Sequence, residues 1–108
     1  MREEPQKLVR DRIPEIIRKA GKACAVERLD DVDYRRALRE KLIEEAREVA
    51  EATNEAELVA ELADLSEVID TLMETYGIDR SIVFAKQEQR SLDRGRFRQR
   101  LKLLWIES

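Results

Sequence analysis

Between residues 58 and 76 the apolar side chains fall at Leu58, Leu62, Leu65, Ile69, Leu72 and Tyr76, in alternating steps of four and three. That period lays an apolar stripe along one face of an α-helix and fits no strand, whose faces alternate every second residue. A helix so patterned must bury its stripe against other helices, so the stripe sets the architecture as a packed bundle. The rest of the chain agrees: three glycines and two prolines leave few breaks, strong helix formers dominate, and strand-forming runs are scarce.

The breaks that do occur divide the chain into about four helices. Asp11 is placed to cap a short first helix that carries Pro14 in its first turn and ends at Gly21. Residues 22–29 read as an extended connector. A second helix is predicted from Asp30 or Asp31 to about Ala52, with Asp33 in its first turn and a seam of Tyr34, Leu38, Leu42, Ala46, Val49 and Thr53. Asn54 with Glu57 is a capping-box variant opening the third helix, which runs to Tyr76 and stops at Gly77. Asp79 is predicted to cap a fourth helix, stapled by Ile78 and Val83 and ending before Gly95. The remainder, ending in Leu103-Leu104-Trp105-Ile106, reads as a short strand or as an arm that packs on another subunit.

At 108 residues the chain is expected to be a single domain, residues 1–108. Its charged fraction is 42%, against about 25% in an ordinary domain. A core is therefore possible only if charged and apolar residues separate by face. Histidine is absent, which excludes Ser-His-Asp and Cys-His hydrolysis, mixed His/Cys zinc sites and Glu-x-x-His di-iron bundles. The lone Cys24 can form neither an internal disulfide nor a thiolate cage. No run of 18 apolar residues and no apolar leader appear, so no membrane partner is expected and the cytoplasm is the expected compartment. A net charge of -3 argues against a general nucleic-acid binder, although the basic C-terminal stretch leaves a local version open.

Carboxylates, lysines and arginines must then carry any chemistry. Two acidic groups stand out, Glu44-Glu45-x-x-Glu48 on the second helix and Glu61-x-x-Asp64 on the third. At about 100° per residue, Glu61 lies about 60° and Asp64 about 120° from the centre of their helix's seam, on one side of it. Glu45 and Glu48 lie about 50° and 110° from theirs, again on one side. Two antiparallel helices packed through these seams bring four carboxylates together along one groove. Such crowding raises each acid's pKa and is costly unless cations neutralise it, and an all-oxygen donor set points to Mg²⁺ or Mn²⁺. The competing reading is ordinary surface glutamates paired with Lys41, Arg47 and other neighbours one turn away. Spacing alone leaves both standing.

The order of these motifs on consecutive helices resembles the all-α nucleoside triphosphate pyrophosphohydrolase superfamily, the MazG-like and phosphoribosyl-ATP pyrophosphohydrolase-like proteins. Glu44, Glu45 and Glu48 match its Glu-Glu-x-x-Glu element, and Glu61 and Asp64 its Glu-x-x-Asp element, with residues 49–60 between them. The opening Lys7-Leu-Val-Arg10-Asp11-Arg12-Ile-Pro14-Glu15-Ile-Ile and the closing stretch from Lys86 to Arg94-Gly95-Arg96-Phe97 are similar to the ends of a stand-alone subgroup.

The resemblance implies an all-α MazG-like fold and Mg²⁺-dependent cleavage of a nucleoside triphosphate between its α and β phosphates, giving a monophosphate and pyrophosphate. A house-cleaning role on non-canonical nucleotides is implied with it. Glu45, Glu48, Glu61 and Asp64 would be the metal ligands, and Glu44 or Glu45 would act in catalysis, Glu44 as the base for the attacking water. A triphosphate needs further cations. Lys86 and Arg94 are the first candidates for phosphate contact, followed by Lys7 and Arg10. Phosphoribosyl-ATP hydrolysis in histidine biosynthesis is a second enzymatic reading, and a non-catalytic helical interaction or regulatory module is a third. A chain this short has a limited core, so a homodimer or homotetramer is expected, with Trp105 packing across an interface.

Overall fold

The computed structural model describes residues 2–108. Four helices follow one another: α1 (Ile13–Lys19), α2 (Asp31–Glu51), α3 (Glu55–Thr75) and α4 (Arg80–Arg94), with no strand among the described residues. The protein is all-α, as the stripe predicts, and residues 22–29 form an irregular connector.

Helix boundaries follow local chemistry. The Asp30 carboxylate accepts the Asp33 N–H at 2.8 Å and opens α2. Asn54 Oδ1 accepts the Glu57 N–H at 2.9 Å, and Glu57 Oε2 reaches back to both the N–H and the hydroxyl of Thr53, each at 2.9 Å. These bonds hold the Glu57 carboxyl below its ordinary pKa. Asn54→Ala should lower stability by about 1 kcal/mol, measured by urea denaturation, because it leaves a first-turn N–H without its partner. Asp79 accepts the Ser81 N–H at 3.0 Å and opens α4. Gly77, at φ +64°, permits the tight reversal between α3 and α4.

One boundary differs from expectation. Arg12, not Asp11, precedes α1, and no side chain caps it. Pro14 at the start supplies the pre-set φ instead, and the helix is only seven residues long.

Among the described residues the α2–α3 hairpin is the one extensive helix pairing. Leu38, 2% exposed, and Val68 are its buried apolar centre. At its open end, away from the 52–54 turn, Arg39 donates to the Tyr76 hydroxyl at 2.9 Å, while the Arg35 guanidinium stacks 4.6 Å from the ring centroid.

The face of α3 turned to α2 is not the predicted stripe. It runs through Glu61, Asp64, Leu65, Val68 and Leu72, whereas Leu58, Leu62, Ile69 and Tyr76 remain 39–44% exposed. Ile69 lies about 100° round the helix from Val68. α3 is therefore apolar on two adjoining faces, and α2 covers one of them. On α2, likewise, Ala46 lies outside the packed face, which passes through Lys41, Leu42, Glu44 and Glu45.

α4 runs beside the uncovered face of α3 but stands off from it. A groove of about 300 Å³ separates the two, with Ile69 and Met73 on one wall and Val83 and Phe84 on the other, and an Arg80–Asp70 ion pair tying them near the turn. Ile78 and Val83 both stay exposed. Residues 95–108 continue as an extended arm, not a strand. None of the helices among the described residues is long and apolar enough to cross a membrane.

Candidate active site

The rotation of α3 changes where the acids sit. Glu45 is buried in the hairpin interface, Glu61 and Asp64 are half-buried at its margin, and Glu48 is exposed. Glu45 is only 7% exposed, an unusual position for a carboxylate. Glu45, Glu61 and Asp64 each offer an oxygen, all within 4.8 Å of one another.

Two of those acids keep an unanswered oxygen. Glu45 Oε2 and Glu61 Oε2 are buried without a hydrogen-bond partner. Burying charged oxygens unpaired is expensive, so the protein pays for this arrangement in stability. Partial burial pushes the Glu61 carboxyl above its ordinary pKa, helped by a proton shared with Glu48 and by repulsion from Glu48, Asp64 and Glu45. Glu48 is itself solvent-exposed and adjoins the trio through Glu61. The donor set, all hard oxygen from three carboxylates that each bring an oxygen within 4.8 Å of the others, fits a divalent cation.

Basic side chains border the acids on one side. Arg10 Nη2 donates to Asp64 Oδ1 at 2.9 Å, and Lys7 Nζ donates to Glu44 Oε1 at 3.0 Å. The segment before α1 is thereby drawn across both helices of the hairpin. Lys41 Nζ lies 3.3 Å from Glu44 Oε1 and 3.4 Å from Glu45 Oε1, with its side chain 18% exposed. Lys7's hydrogen bond is the main cause holding Glu44 below its ordinary pKa, with Lys41 assisting, and the same bond raises Lys7. Glu44 is thus ionised at neutral pH.

In the sequence Lys41 reads only as a possible surface partner of the acids. Its spacing of three and four from Glu44 and Glu45 was the available signal, because those intervals place side chains on one helix face. Lys86 is exposed on α4, and Arg94 ends that helix beside a depression formed with the arm. Among the described residues neither pairs with the acids, whereas Lys7 and Arg10 do.

Comparison with known proteins bears on this arrangement directly. Residues 7–91 match the phosphoribosyl-ATP pyrophosphohydrolase family, a span that begins at the Lys7 contact and includes every acid just described. The chain belongs to that family. It is accordingly a pyrophosphohydrolase, a hydrolase acting on acid anhydrides, of the MazG-like all-α superfamily. The family is typically metal-dependent and takes a nucleotide substrate. No curated protein and no solved structure matches the chain.

Proposed function

We propose that this pyrophosphohydrolase cleaves nucleoside triphosphates between the α and β phosphates, releasing a monophosphate and pyrophosphate, with non-canonical nucleotides as its targets. The observation that carries the reading is the pair of buried, unpartnered oxygens on Glu45 and Glu61 beside Asp64. They are costly in the chain by itself and become useful once a hard cation accepts them.

Glu45, Glu48, Glu61 and Asp64 are the residues to hold Mg²⁺ or Mn²⁺. The bound ions would withdraw charge from the phosphates and make the attacking water more acidic. Glu44 is ionised and takes the proton from that water as the water oxygen bonds to phosphorus and the bridging bond breaks towards pyrophosphate. For this it must exchange its bond to Lys7, and the Lys7 ammonium so released is free to meet a phosphate oxygen. Arg10 stands in the same relation to Asp64, and its fork suits bidentate phosphate contact. Lys86 and Arg94 join the phosphate contacts only if brought from elsewhere, since their own helix runs beside the face of α3 turned away from α2. The working form is a homodimer or homotetramer.

The family match gives standing to a second substrate, phosphoribosyl-ATP, in which the same bond is cleaved. One experiment separates the readings: pyrophosphate release with Mg²⁺ from canonical triphosphates, modified triphosphates and phosphoribosyl-ATP. The proposal expects the highest kcat/KM on a modified triphosphate. Preference for phosphoribosyl-ATP would replace it with the biosynthetic reading, and no release from any of them would overturn both.

A further inference from the structure

The acid site already holds cations of its own. Glu44, Glu45, Glu48, Glu61 and Asp64 bring five carboxylates together, and the bases paired with them are Lys7, Arg10 and Lys41. Those bases do not satisfy the site, because Glu45 Oε2 stays buried without a partner.

The three bases are held in two different ways. Lys41 sits one turn before Glu44 and Glu45 on α2, with its side chain 18% exposed. Lys7 and Arg10 come from the irregular segment before α1, with side chains 48% and 57% exposed. That segment crosses the hairpin, placing Lys7 on Glu44 of α2 and Arg10 on Asp64 of α3. Between them Leu8 is half-buried and Val9 is exposed. Among the described residues α1 makes no extensive packing with another helix, so it does not clamp the segment down. The segment is thus held to the acids chiefly by two solvent-exposed ion pairs, a kind of contact that contributes little and exchanges readily. Lys41 stays with the acids when the segment leaves.

Charge then sets the order in which ligands enter. A bare divalent cation approaching the acids meets an ammonium on Glu44 and a guanidinium on Asp64, and both oppose it. It offers those two bases nothing in place of their carboxylates. A cation that arrives on a polyphosphate does, because phosphate oxygens accept from an ammonium and from an arginine fork in charge-assisted bonds. One exchange passes the carboxylates to the metal and the bases to the phosphates.

We propose that residues 7–10 form a strap that fills the acid site with the chain's own cations and gives way to a metal-bound polyphosphate, so that Lys7 and Arg10 couple cation binding to substrate binding. The coupling is reciprocal: polyphosphate raises the affinity for the cation by the same factor as the cation raises the affinity for polyphosphate. The free protein binds a divalent cation weakly and takes it up with the substrate. The strap rests on the cation proposed above for the acids, and it gives Lys7 and Arg10 the further task of opposing that cation until a polyphosphate comes.

Two titrations of the full chain test this. Mn²⁺ alone is added first, with the free ion followed by its electron paramagnetic resonance signal. Calorimetry at saturating Mn²⁺ then follows the α,β-methylene analogue of the substrate that the release assay prefers, whose bridge cannot be hydrolysed. Lys7→Met/Arg10→Met should bind Mn²⁺ alone at least about threefold more tightly than the parent, and the Mn²⁺-bound analogue at least about threefold more weakly. The opposite signs distinguish the strap. A segment that only braces the fold would weaken both, and bases that only contact phosphate would weaken the second and leave the first unchanged. Arg98→Met/Lys102→Met removes the same two charges from the exposed C-terminal arm and should leave Mn²⁺ affinity at the parental value. An arm variant that tightens Mn²⁺ as much as the strap variant overturns the proposal, since net charge would then explain it. So does a strap variant that binds Mn²⁺ no more tightly than a parent that binds it, or one that keeps the parent's affinity for the bound analogue. The first titration needs no substrate, and Mn²⁺ bound by neither protein would overturn the cation reading of the acids and the strap with it.

Discussion

Glu61→Gln will make the metal-free protein more stable and the enzyme inactive. Glu61 is raised above its ordinary value of 4.5 by partial burial and by Glu48, Asp64 and Glu45, so the fold prefers it protonated. A carboxyl whose folded pKa is raised loses stability as pH climbs from its unfolded value through its folded one. The neutral amide removes that loss and can donate to the oxygens that now repel one another. The thermal midpoint of the variant should therefore exceed that of the parent at pH 7 without metal, and the advantage should disappear below about pH 4.5, where Glu61 is protonated in both states. Divalent cation should raise the parent's midpoint and leave the variant's almost unchanged, because ligands that stabilise only the folded state act through binding. Turnover should fall by roughly a thousandfold or more, a barrier change of about 4 kcal/mol. Asp64→Asn should lose turnover similarly but with little change in midpoint, since its pair with Arg10 is open to solvent and contributes little. Calorimetry across pH with and without Mn²⁺, alongside pyrophosphate release, checks all of these. A Glu61→Gln protein less stable than its parent at neutral pH would refute the account of a strained acid cluster.

The helices and most of their ends were legible because local chemistry decides them. Asp30, Asn54 and Asp79 cap where their side chains predict, and Gly77 turns where a positive φ is needed. The acidic motifs were legible as spacing on one helix side. What periodicity could not give was which face of α3 meets α2. Leu65 and Leu72 belong to the stripe and also border Val68, so a count of apolar positions averages two faces into one seam. Of the acids, Glu45 alone is buried in the hairpin, while Glu61 and Asp64 are half-buried and Glu48 is exposed. Lys7 and Arg10 reach the acids across 37 and 54 residues of sequence, separations that no local pattern encodes. Lys41 was hidden for the opposite reason, since its local spacing made it look like routine helix-surface pairing.

Leu38→Ala should be the most destabilising single substitution in the hairpin. Leu38 is the most completely buried large side chain among the described residues, and Val68, 8% exposed, is the other apolar residue in the buried class. Truncating a buried leucine costs about 2–5 kcal/mol, with the larger values where the surroundings cannot close on the cavity. Here the two 21-residue helices are each capped at the start and are tied at one end by the Tyr76 contacts, which limits collapse around the missing methyls. Domains of this size retain only about 5–15 kcal/mol in total, so the loss would be a large share of what the fold has. Because the same interface positions Glu45 against Glu61 and Asp64, loosening it should weaken cation-induced stabilisation as well as lower the midpoint. Leu38→Met keeps the volume and should cost less than about 1.5 kcal/mol, retaining the cation response. Urea denaturation of the two variants, each with and without Mn²⁺, reads both effects. Equal stability of the alanine variant and the parent would mean that the hairpin core is not what holds the acids together.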